Sequence, residues 1–582
     1  MDAVRNSLRS CARFLAGRWK GAPRWLYLAG TIALAFYLVN AVHFAKEPIR
    51  IEESEWPPMA KAIYETGKPE IAADQSHVIR LNSEWKQETS PLIGAWHPPL
   101  YLYTAAVSMA FVGTHSPYRL RIVGIVGLLL AAVLILLIAR EVTKRWQVIG
   151  GVAAILLLIN PFGIQGSTFL DIDTQVYAPI LMLAIWLAIR YAKRKEALGP
   201  WQVTVLAVAI ALVCWTKLTT AIVLVGVLAV WWVLARRPIR RAVVEAVAFI
   251  GAGAGLFFGT YALWCAATGI PFSYTFEVTF EQKSNRLFSE WLVVDHAVHW
   301  HLRWFGLALL ILAAVYLVDL LRNFLGSWKL RPLDLPYLFA LGVLVTYVLL
   351  SPTDGTFQGK YCFPALVALI LPITWMLLRR PTPEQRRWVI WPVAAGLGVI
   401  AAALIGDQIT HLAEFNVHYG TWDHELGIAA ISGAAMGMAW LLGGRRGFGA
   451  GVIVVLAILF VAQSIHSYRA NTSPLYPTPD TNEFVALGDN INAATKPDDI
   501  VVGPKDLDYY LHSYVIWGEE GFARGDALEA EAIRDDPRIT VFARDSFGPP
   551  IGPLTEEVLN RCFLKREAFA TASAAYRTKS CR

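Results

Sequence analysis

Long apolar runs separated by short polar loops are the feature that most constrains how this chain can fold. Several runs reach the roughly 20 residues that an α-helix needs to cross about 30 Å of hydrocarbon. Hydrophobic residues make up 55% of the 582 residues and charged residues only 17%. We therefore interpret the chain as a polytopic membrane protein with about 13 crossings. The apolar runs lie at about 25–44, 119–139, 148–165, 175–192, 201–216, 219–235, 243–266, 303–321, 336–350, 362–378, 388–406, 425–442 and 448–466.

The basic residues of the connecting loops are distributed unevenly. One set of loops carries clusters of Lys and Arg, whereas the alternate set contains only Lys217, Lys283, Arg286 and Lys360. Because loops rich in Lys and Arg stay in the cytoplasm, the alternate set is predicted to face outside. The clusters also account for the net charge of +7 and orient helices, so no nucleic-acid partner is predicted. They lie at 140–145, 190–195, 236–241, 322–331, 379–387 and 445–446.

The stretch 97–113 is predicted to lie on the outer surface as a juxtamembrane helix. Its apolar part has about 15 residues and would span only about 22 Å as a helix. A crossing here would also invert every later loop and place the basic clusters outside. The first outer loop therefore extends over 45–118. Basic residues before the first apolar run, with no convincing cleavage site after it, predict a retained signal anchor with a cytoplasmic N-terminus.

The composition changes after residue 466, which divides the chain into two predicted domains. Residues 1–466 form an all-α polytopic membrane domain, and residues 467–582 form a small extracytoplasmic α/β domain. Turn signals in the tail are followed by the β-rich stretches "DDIVVG" and "RITVFARD", which are typical of strands. Because this compartment permits disulfides, a bridge is predicted between Cys562 and Cys581.

Two groups of acidic residues lie on the predicted outer side. Glu52 and Glu53 follow the first span, and Asp171 and Asp173 lie in a very short second outer loop. Carboxylates held close to a membrane are costly unless they have a function. The alternatives are a solvated acidic first loop and, for the two aspartates, capping of a helix that starts near Thr174. Capping is favoured for Asp171, while capping and catalysis stay open for Asp173.

Four cations share the outer side with these acids. His97, Lys217, Arg286 and Lys360 all lie at predicted outer ends of spans. Each alone is typical of a side chain that anchors a helix at the interface. Together they indicate a site for an anionic headgroup at the membrane surface. A carboxylate can take the proton of an acceptor hydroxyl while cations hold a departing phosphate.

The order of these short motifs resembles that of a known family. An acidic stretch after the first span is followed by "HPPL", an Asp in the second outer loop, "TK" after the fifth span and "KY" before the tenth. This layout resembles the GT-C glycosyltransferases, in particular the bacterial lipid A aminoarabinose transferase and protein O-mannosyltransferase branch. The resemblance implies a GT-C fold with about 13 transmembrane helices and an outer C-terminal domain. It also implies a polyprenyl-phosphate-linked sugar as the donor.

The resemblance assigns roles to the acids. Glu52 corresponds to the first-loop acid of the family, with Glu53 next in line, and Asp173 matches the second-loop acid. Glu52 would serve as the general base or position the acceptor. Asp173 would align the acceptor or the donor sugar.

The resemblance also assigns the donor-phosphate site. Arg286 resembles the phosphate-binding Arg of the fourth outer loop, and Tyr361 resembles the Tyr of an "RY" element in which Lys360 replaces the Arg. His97 stands where the aminoarabinose transferases have a phosphate-contacting Lys. Trp96 stands where they have an acid, which weakens the case for a metal at this spot. Metal dependence stays open, with a divalent ion as one alternative.

The sequence thus predicts an inverting glycosyltransferase whose site faces the outer side of a bacterial inner membrane. The donor is a polyprenyl-phosphate sugar, and a lipid, a glycan or a protein stays open as the acceptor. A transporter or flippase of a lipid-linked or anionic solute is the main alternative, and it would require polar residues at mid-membrane and broken paired helices. A non-catalytic scaffold would leave the outer acids and cations unexplained.

Overall fold

A computed structural model describes most of the helical region and the core of the tail. Outside the described residues lie Glu52, Asp173, Arg286, Cys581, the side chain of Lys360 and the three last predicted spans. The described residues are 23–45, 53, 56–71, 78–79, 92–113, 117–172, 175–236, 238–284, 307–349, 359–378, 481–504, 507, 511–517, 526–545, 551–569 and 572–578.

The first 378 residues are almost entirely helical where they are described. Among the described residues, four helices (α1, α5, α10 and α11 below) are long and apolar enough to cross a membrane, and a bent pair of helices could form a fifth span. The helices are α1 (Arg24–Ala45), α2 (Trp56–Thr66), α3 (Leu100–Val112), α4 (Pro117–Leu120), α5 (Ile122–Val142), α6 (Trp146–Ile159), α7 (Pro161–Thr168), α8 (Tyr177–Ala192), α9 (Pro200–Thr216), α10 (Leu218–Ala235), α11 (Ile239–Thr268), α12 (Tyr274–Ser284), α13 (Leu307–Ser327), α14 (Asp334–Leu349) and α15 (Phe363–Leu378), with a 3₁₀ turn at Gly359–Cys362.

The predicted span 148–165 is not one straight helix. It consists of α6 and α7, which meet at an angle of 75°. Pro161 follows the junction and disfavours helical backbone at Asn160, which is extended with φ −69° and ψ 126°. The Asn160 side chain accepts the Gly163 N–H at 3.2 Å and so caps the second helix. The predicted span therefore contains a break, because this Asn-Pro pair ends one helix and begins the next.

Helix α3 covers most of the stretch that was predicted to lie on the surface. It has only 13 residues and packs on α2, where the Trp56 and Tyr101 rings are 5.4 Å apart. The Tyr103 hydroxyl donates to Gly67 O and accepts from Trp264 Nε1, both at 2.9 Å. Helix α3 is therefore held between the first loop and the end of α11, and its position at the membrane surface stays a prediction.

At one end of the helices, arginine side chains form hydrogen bonds that link neighbouring helix termini. We call this end, defined by Arg145 and Arg236, the arginine end. Arg145 donates to Leu378 O at 2.7 Å, and the last carbonyls of a helix have no partner within it. Arg236 forms a buried ion pair with Glu245 at 2.7 Å and donates to Tyr191 O at 2.8 Å. These residues belong to the basic clusters that are predicted to face the cytoplasm.

The described tail is an α/β unit, as predicted. Strands β4 (Ile500–Gly503), β5 (Tyr514–Trp517) and β6 (Ile539–Asp545) are parallel, while β7 (Phe563–Ala568) and β8 (Ala572–Arg577) continue the sheet in antiparallel fashion. Apolar side chains on both faces of the sheet pack against α16 (Thr481–Ala494), α17 (Asp526–Asp535) and α18 (Pro553–Cys562).

The first outer loop contributes three short strands. In this loop β1 (Glu70–Ile71) pairs with β3 (Leu92–Ile93) in antiparallel fashion. Strand β2 (Val78–Ile79) instead joins the sheet of the tail beside β5, which gives the order β2-β5-β4-β6-β8-β7. The sheet is therefore shared between the tail and the first loop, which the division at residue 466 did not anticipate.

Candidate active site

A buried ion pair anchors the start of the first outer loop. Glu53 and Arg121 are 1% and 2% exposed, and the guanidinium donates through Nε at 3.1 Å and through Nη2 at 2.6 Å to the two carboxylate oxygens. Arg121 Nη1 also donates to Phe44 O and Ala45 O, at 3.2 and 3.3 Å. Because Arg121 directly precedes α5, this one side chain joins the end of α1, the first loop and the start of α5.

The same carboxylate connects the first outer loop to the second. Glu53 Oε1 accepts the Leu170 N–H at 2.7 Å, and Asp171, the next residue, is buried. Glu53, next to Glu52, is thus in direct contact with Leu170, next to Asp171, while Glu52 and Asp173 lie outside the described part. The two predicted acidic segments converge.

Asp171 does not cap the following helix. Helix α8 begins at Tyr177, not near Thr174, and its N-cap residue is Val176, with no side-chain capping bond. A capping oxygen reaches only the N–H groups two or three residues further along, so Asp171 precedes the helix by too many residues. The capping interpretation was wrong for Asp171, whereas Asp173 lies outside the described residues and both of its alternatives stay open.

Lys217 and Tyr361 are brought together from distant parts of the chain. Lys217 is the single extended residue between α9 and α10, with φ −156° and ψ 118°, and it is 2% exposed. Its Nζ lies 4.2 Å from the centroid of the Tyr361 ring and 5.7 Å from that of Tyr347. The two tyrosine rings stack with centroids 5.0 Å apart. A desolvated cation over aromatic faces is a favourable arrangement, worth about 2 kcal/mol.

Tyr347 is a residue that sequence reasoning missed. It lies near the end of α14 within an apolar run, where a tyrosine is typical of the interfacial belt. The signal that would have found it is its place at the same predicted end of a span as Lys217 and the "KY" pair.

The segment that leads to His97 is held by α12. Thr275 and Thr279 are buried, and no sequence pattern singled them out. Helix α12 ends at Ser284, two residues before Arg286 in the sequence. Three α12 hydroxyls donate to carbonyls of this segment: Tyr274 to Ile93 at 3.2 Å, Thr275 to Ala95 at 2.6 Å and Thr279 to Trp96 at 2.9 Å.

Aromatic packing also holds the segment that leads to His97. The Trp96 ring meets the Trp56 ring edge to face at 6.2 Å. A Cβ at position 94 would come within 2.5 Å of the Met59 sulfur, so Gly94 is required for this close approach. His97 itself is half-buried.

The helices place these residues at one end, opposite the arginine end. Helix α5 follows Arg121 and α10 follows Lys217, and each runs toward the basic cluster at its other end. Helix α15 follows Tyr361 and ends at Leu378, the residue bound by Arg145. We call this second end the site end, defined by Glu53, Lys217 and Tyr361.

Two further predictions concern cysteine and metal chemistry. Cys562 is disulfide-bonded, but Cys581 lies outside the described residues, so this pairing stays a prediction. Within the described ranges no three His, Cys, Asp or Glu side chains are grouped so that they could hold a metal ion. The question of metal dependence stays open.

Comparison with known proteins agrees with this layout. Residues 96–264 match the family described as dolichyl-phosphate-mannose-protein mannosyltransferase. The fold is similar to the crystal structure of ArnT from Cupriavidus metallidurans bound to undecaprenyl phosphate, with a TM-score of 0.58 and 15% identity, covering 96% of this chain and 99% of that chain. This chain has the GT-C fold. The apo state of the same ArnT gives a TM-score of 0.55 at 14% identity, covering 96% and 98% of the two chains.

The GT-C resemblance that the sequence motifs predicted is thus confirmed. The GT-C match extends over nearly the whole chain and includes a mostly helical multi-pass region with a small C-terminal α/β sheet. No curated protein matches the sequence.

Proposed function

We propose that this GT-C protein transfers a sugar from a polyprenyl-phosphate-linked donor to an acceptor at the site end. The observation that carries the proposal is the buried Lys217 over Tyr361, at the same end of the helices as the contact between Glu53 and Leu170. A cation site and an acid site are the two parts that this transfer requires. The matched family is named for a dolichyl-phosphate sugar, and the similar ArnT structure contains undecaprenyl phosphate.

Lys217 is assigned to the departing phosphate. When the bond between the anomeric carbon and the phosphate oxygen breaks, the electron pair leaves with polyprenyl phosphate. A buried ammonium stabilises this developing charge more strongly than a solvated one, because the local dielectric constant is low. Tyr361 holds the ammonium, while His97, Arg286 and Lys360 are proposed to complete the phosphate site.

The acids divide into a base and a positioning residue. Both oxygens of Glu53 accept N–H groups from Arg121, and one also accepts from Leu170. Taking up a proton would break this ion pair, so we assign Glu53 the role of positioning the two loops. Glu52 then takes the acceptor proton as the acceptor oxygen attacks the anomeric carbon from the face opposite the phosphate, with inversion. Asp173 aligns the sugar or the acceptor.

We propose that the site end faces the outside of a bacterial inner membrane. The reason is that the arginine end carries clusters of Lys and Arg, which stay in the cytoplasm. The donor would reach the site from the lipid phase. A lipid, a glycan or a protein stays open as the acceptor.

A transporter remains the alternative class. Its support is the helix break between α6 and α7, since broken helices form the substrate sites of many transporters. At this break, however, the Asn160 side chain accepts the Gly163 N–H, so a backbone group that the break leaves without a helical partner is already bound within the protein. Release of polyprenyl phosphate distinguishes the two functions, because a transporter leaves the donor intact.

The test uses the purified protein with a panel of polyprenyl-phosphate sugars and measures released polyprenyl phosphate. Glu52→Gln should reduce release by about 100-fold or more, the upper range for losing a general base. Lys144→Met, an exposed cation at the arginine end, should leave release unchanged. Full turnover by Glu52→Gln would refute the assignment of the base. Absence of release from every donor by the wild type would refute the function.

A further inference from the structure

The C-terminal domain and the first outer loop share one sheet. Strand β2 pairs in parallel with β5, with Val78 opposite Val515 and Ile79 opposite Ile516. The β5 residues are almost completely buried, at 0% and 5% exposure. Without β2, β5 would be an apolar edge strand with unpaired backbone groups, which favours pairing with another chain. The first loop therefore fills a position that the domain would otherwise have to protect.

Strand β2, which pairs with the C-terminal domain, lies between β1 and β3 along the chain, shortly before His97. The chain runs from β1 to β2 and returns at β3, and His97 follows β3 by four residues. The β1–β3 ladder has only two residues in each strand, extended by the bond from Gly94 N to Pro69 O at 2.8 Å. A two-stranded ladder of this size is marginal by itself. The position of this segment thus depends on contacts beyond the ladder.

Two such contacts are present. The α12 hydroxyls donate to the carbonyls of Ile93, Ala95 and Trp96. Strand β2 pairs the same loop with the C-terminal sheet. Strand addition supplies affinity through main-chain hydrogen bonds and therefore tolerates changes of side chain. It fixes the loop in one register on a folded domain.

We propose that the pairing of β2 with β5 makes the C-terminal domain a positioning part of the active site. The domain holds the first loop so that the His97 segment stays against α12 during turnover. The positioning residues are Val78 and Ile79, acting through backbone hydrogen bonds and not through contact with substrate. This inference rests on the proposed function, because it assigns the His97 segment to the donor-phosphate site.

The first test removes the backbone donors of β2. In the full-length protein, Val78→Pro with Ile79→Pro deletes both N–H groups, while Val78→Ala with Ile79→Ala keeps them and serves as the control. The proline pair should raise the KM for the donor about tenfold or more, since misplacing a group by about 1 Å costs up to about 100-fold. The alanine pair should stay within about twofold of the wild type, as expected for main-chain recognition.

A second readout does not depend on activity. Hydrogen exchange at Gly94 should accelerate about tenfold in the proline pair and not in the alanine pair, because exchange reports local opening. Wild-type KM together with wild-type exchange at Gly94 in the proline pair would overturn the inference. If the wild type turns over no donor, the proposed function fails, while exchange at Gly94 still decides the positioning role.

A crosslink tests whether β2 and β5 stay paired during turnover. This test uses a separate variant, so its outcome does not depend on whether the proline variants fold. Val78→Cys with Val515→Cys places two cysteines at register partners on neighbouring strands about 4.8 Å apart, within the range for a disulfide. The oxidised protein should keep the donor KM and turnover of the wild type. Turnover that is lost on oxidation and restored by reductant would overturn the inference, with reductant-treated wild type as the control for the native disulfide.

Discussion

The two ends of the helices hold their buried cations in different ways. At the arginine end, Arg236 donates to Glu245 and to main-chain carbonyls, so its hydrogen-bonding capacity is used within the protein. At the site end, Lys217 lies over the faces of Tyr361 and Tyr347. An aromatic face attracts a cation through the negative charge of its π-system. Under the proposed function, Arg236 is a cation that holds the fold and Lys217 is a cation that binds the donor phosphate.

At the site end, the ion pair of Arg121 and Glu53 resembles the pair of Arg236 and Glu245 at the arginine end. Both pairs are buried and bidentate. Position along the membrane is therefore not sufficient to identify a functional charge. The partners of the charge distinguish the two classes.

The largest effect is expected for Lys217→Met. Loss of the ammonium should lower kcat/KM by about 100- to 1,000-fold, comparable to removing one preorganised donor to a developing charge. The thermal midpoint should change little, because the methionine side chain still packs on the tyrosine rings. Release of polyprenyl phosphate and a thermal melt measure the two quantities. A collapse of the melting temperature with wild-type specific activity would place Lys217 with the fold-holding cations.

Arg236→Met should show the opposite behaviour. It leaves the buried Glu245 carboxylate with Arg241, at 3.0 Å, as its remaining cationic partner, so the cost should stay below the roughly 3–5 kcal/mol of a fully unpaired buried charge. We expect a lower midpoint and lower yield, while the folded fraction retains its donor KM. Arg240→Met is the matched control, because that residue is exposed in the same basic cluster. A changed donor KM in folded Arg236→Met would remove the distinction between the two ends.

Arg121→Lys tests geometry separately from charge. Lysine keeps the positive charge but lacks the planar fork that binds both carboxylate oxygens. The contact between the loops should loosen and kcat should fall by about tenfold, a modest version of the loss caused by misplacing a reacting group. The donor KM should hardly change, since the phosphate site is built from other residues. Steady-state kinetics decide, and an unchanged kcat would contradict a positioning role for Glu53.

The smallest effect concerns a carboxyl group of the C-terminal domain. Burial, with Asp526 nearby, raises the pKa of Glu529 to about 8. Because the folded pKa exceeds the unfolded value, the contribution of Glu529 to stability is greatest below about pH 4.5, declines as pH rises toward about 8, and is constant above it. Glu529→Gln should remove this decline and raise the thermal midpoint at pH 8 by a few degrees, about what 1 kcal/mol produces.

The exposed Glu531 provides the control for this measurement. Glu531→Gln should follow the wild-type pH profile of the midpoint between pH 5 and 9. A wild-type profile in Glu529→Gln would show that Glu529 does not titrate with folding.

Local patterns predicted the parts of the molecule that depend on neighbouring residues. The apolar runs gave the positions of most described helices, and the uneven basic loops placed Lys217 and Tyr361 at one end, where the structure joins them. Signals for the helix break were also present, since Asn160 and Pro161 form a typical turn dipeptide. The apolar run 148–165 is nevertheless long enough for one span, so its length alone predicts a single helix.

Pairings between distant segments were not predictable in the same way. Nothing near Glu53 in the sequence indicates Arg121 or Leu170, and nothing near Val78 indicates Val515. Such contacts follow from how helices and loops assemble, and a short strand of two residues has no periodicity to detect. Sequence patterns therefore gave the residues of the candidate site more readily than the supports that position them.

The angled helix α7 has a consequence for how this protein tolerates change. Each residue along a helix turns the chain by about 100°, so adding or deleting one residue between Asn160 and Leu170 would rotate the following loop away from Glu53. Elsewhere, surface connections accept changes in length with little penalty. Among natural variants of this chain, insertions should therefore be rare in this ten-residue stretch even where the neighbouring loops differ freely in size.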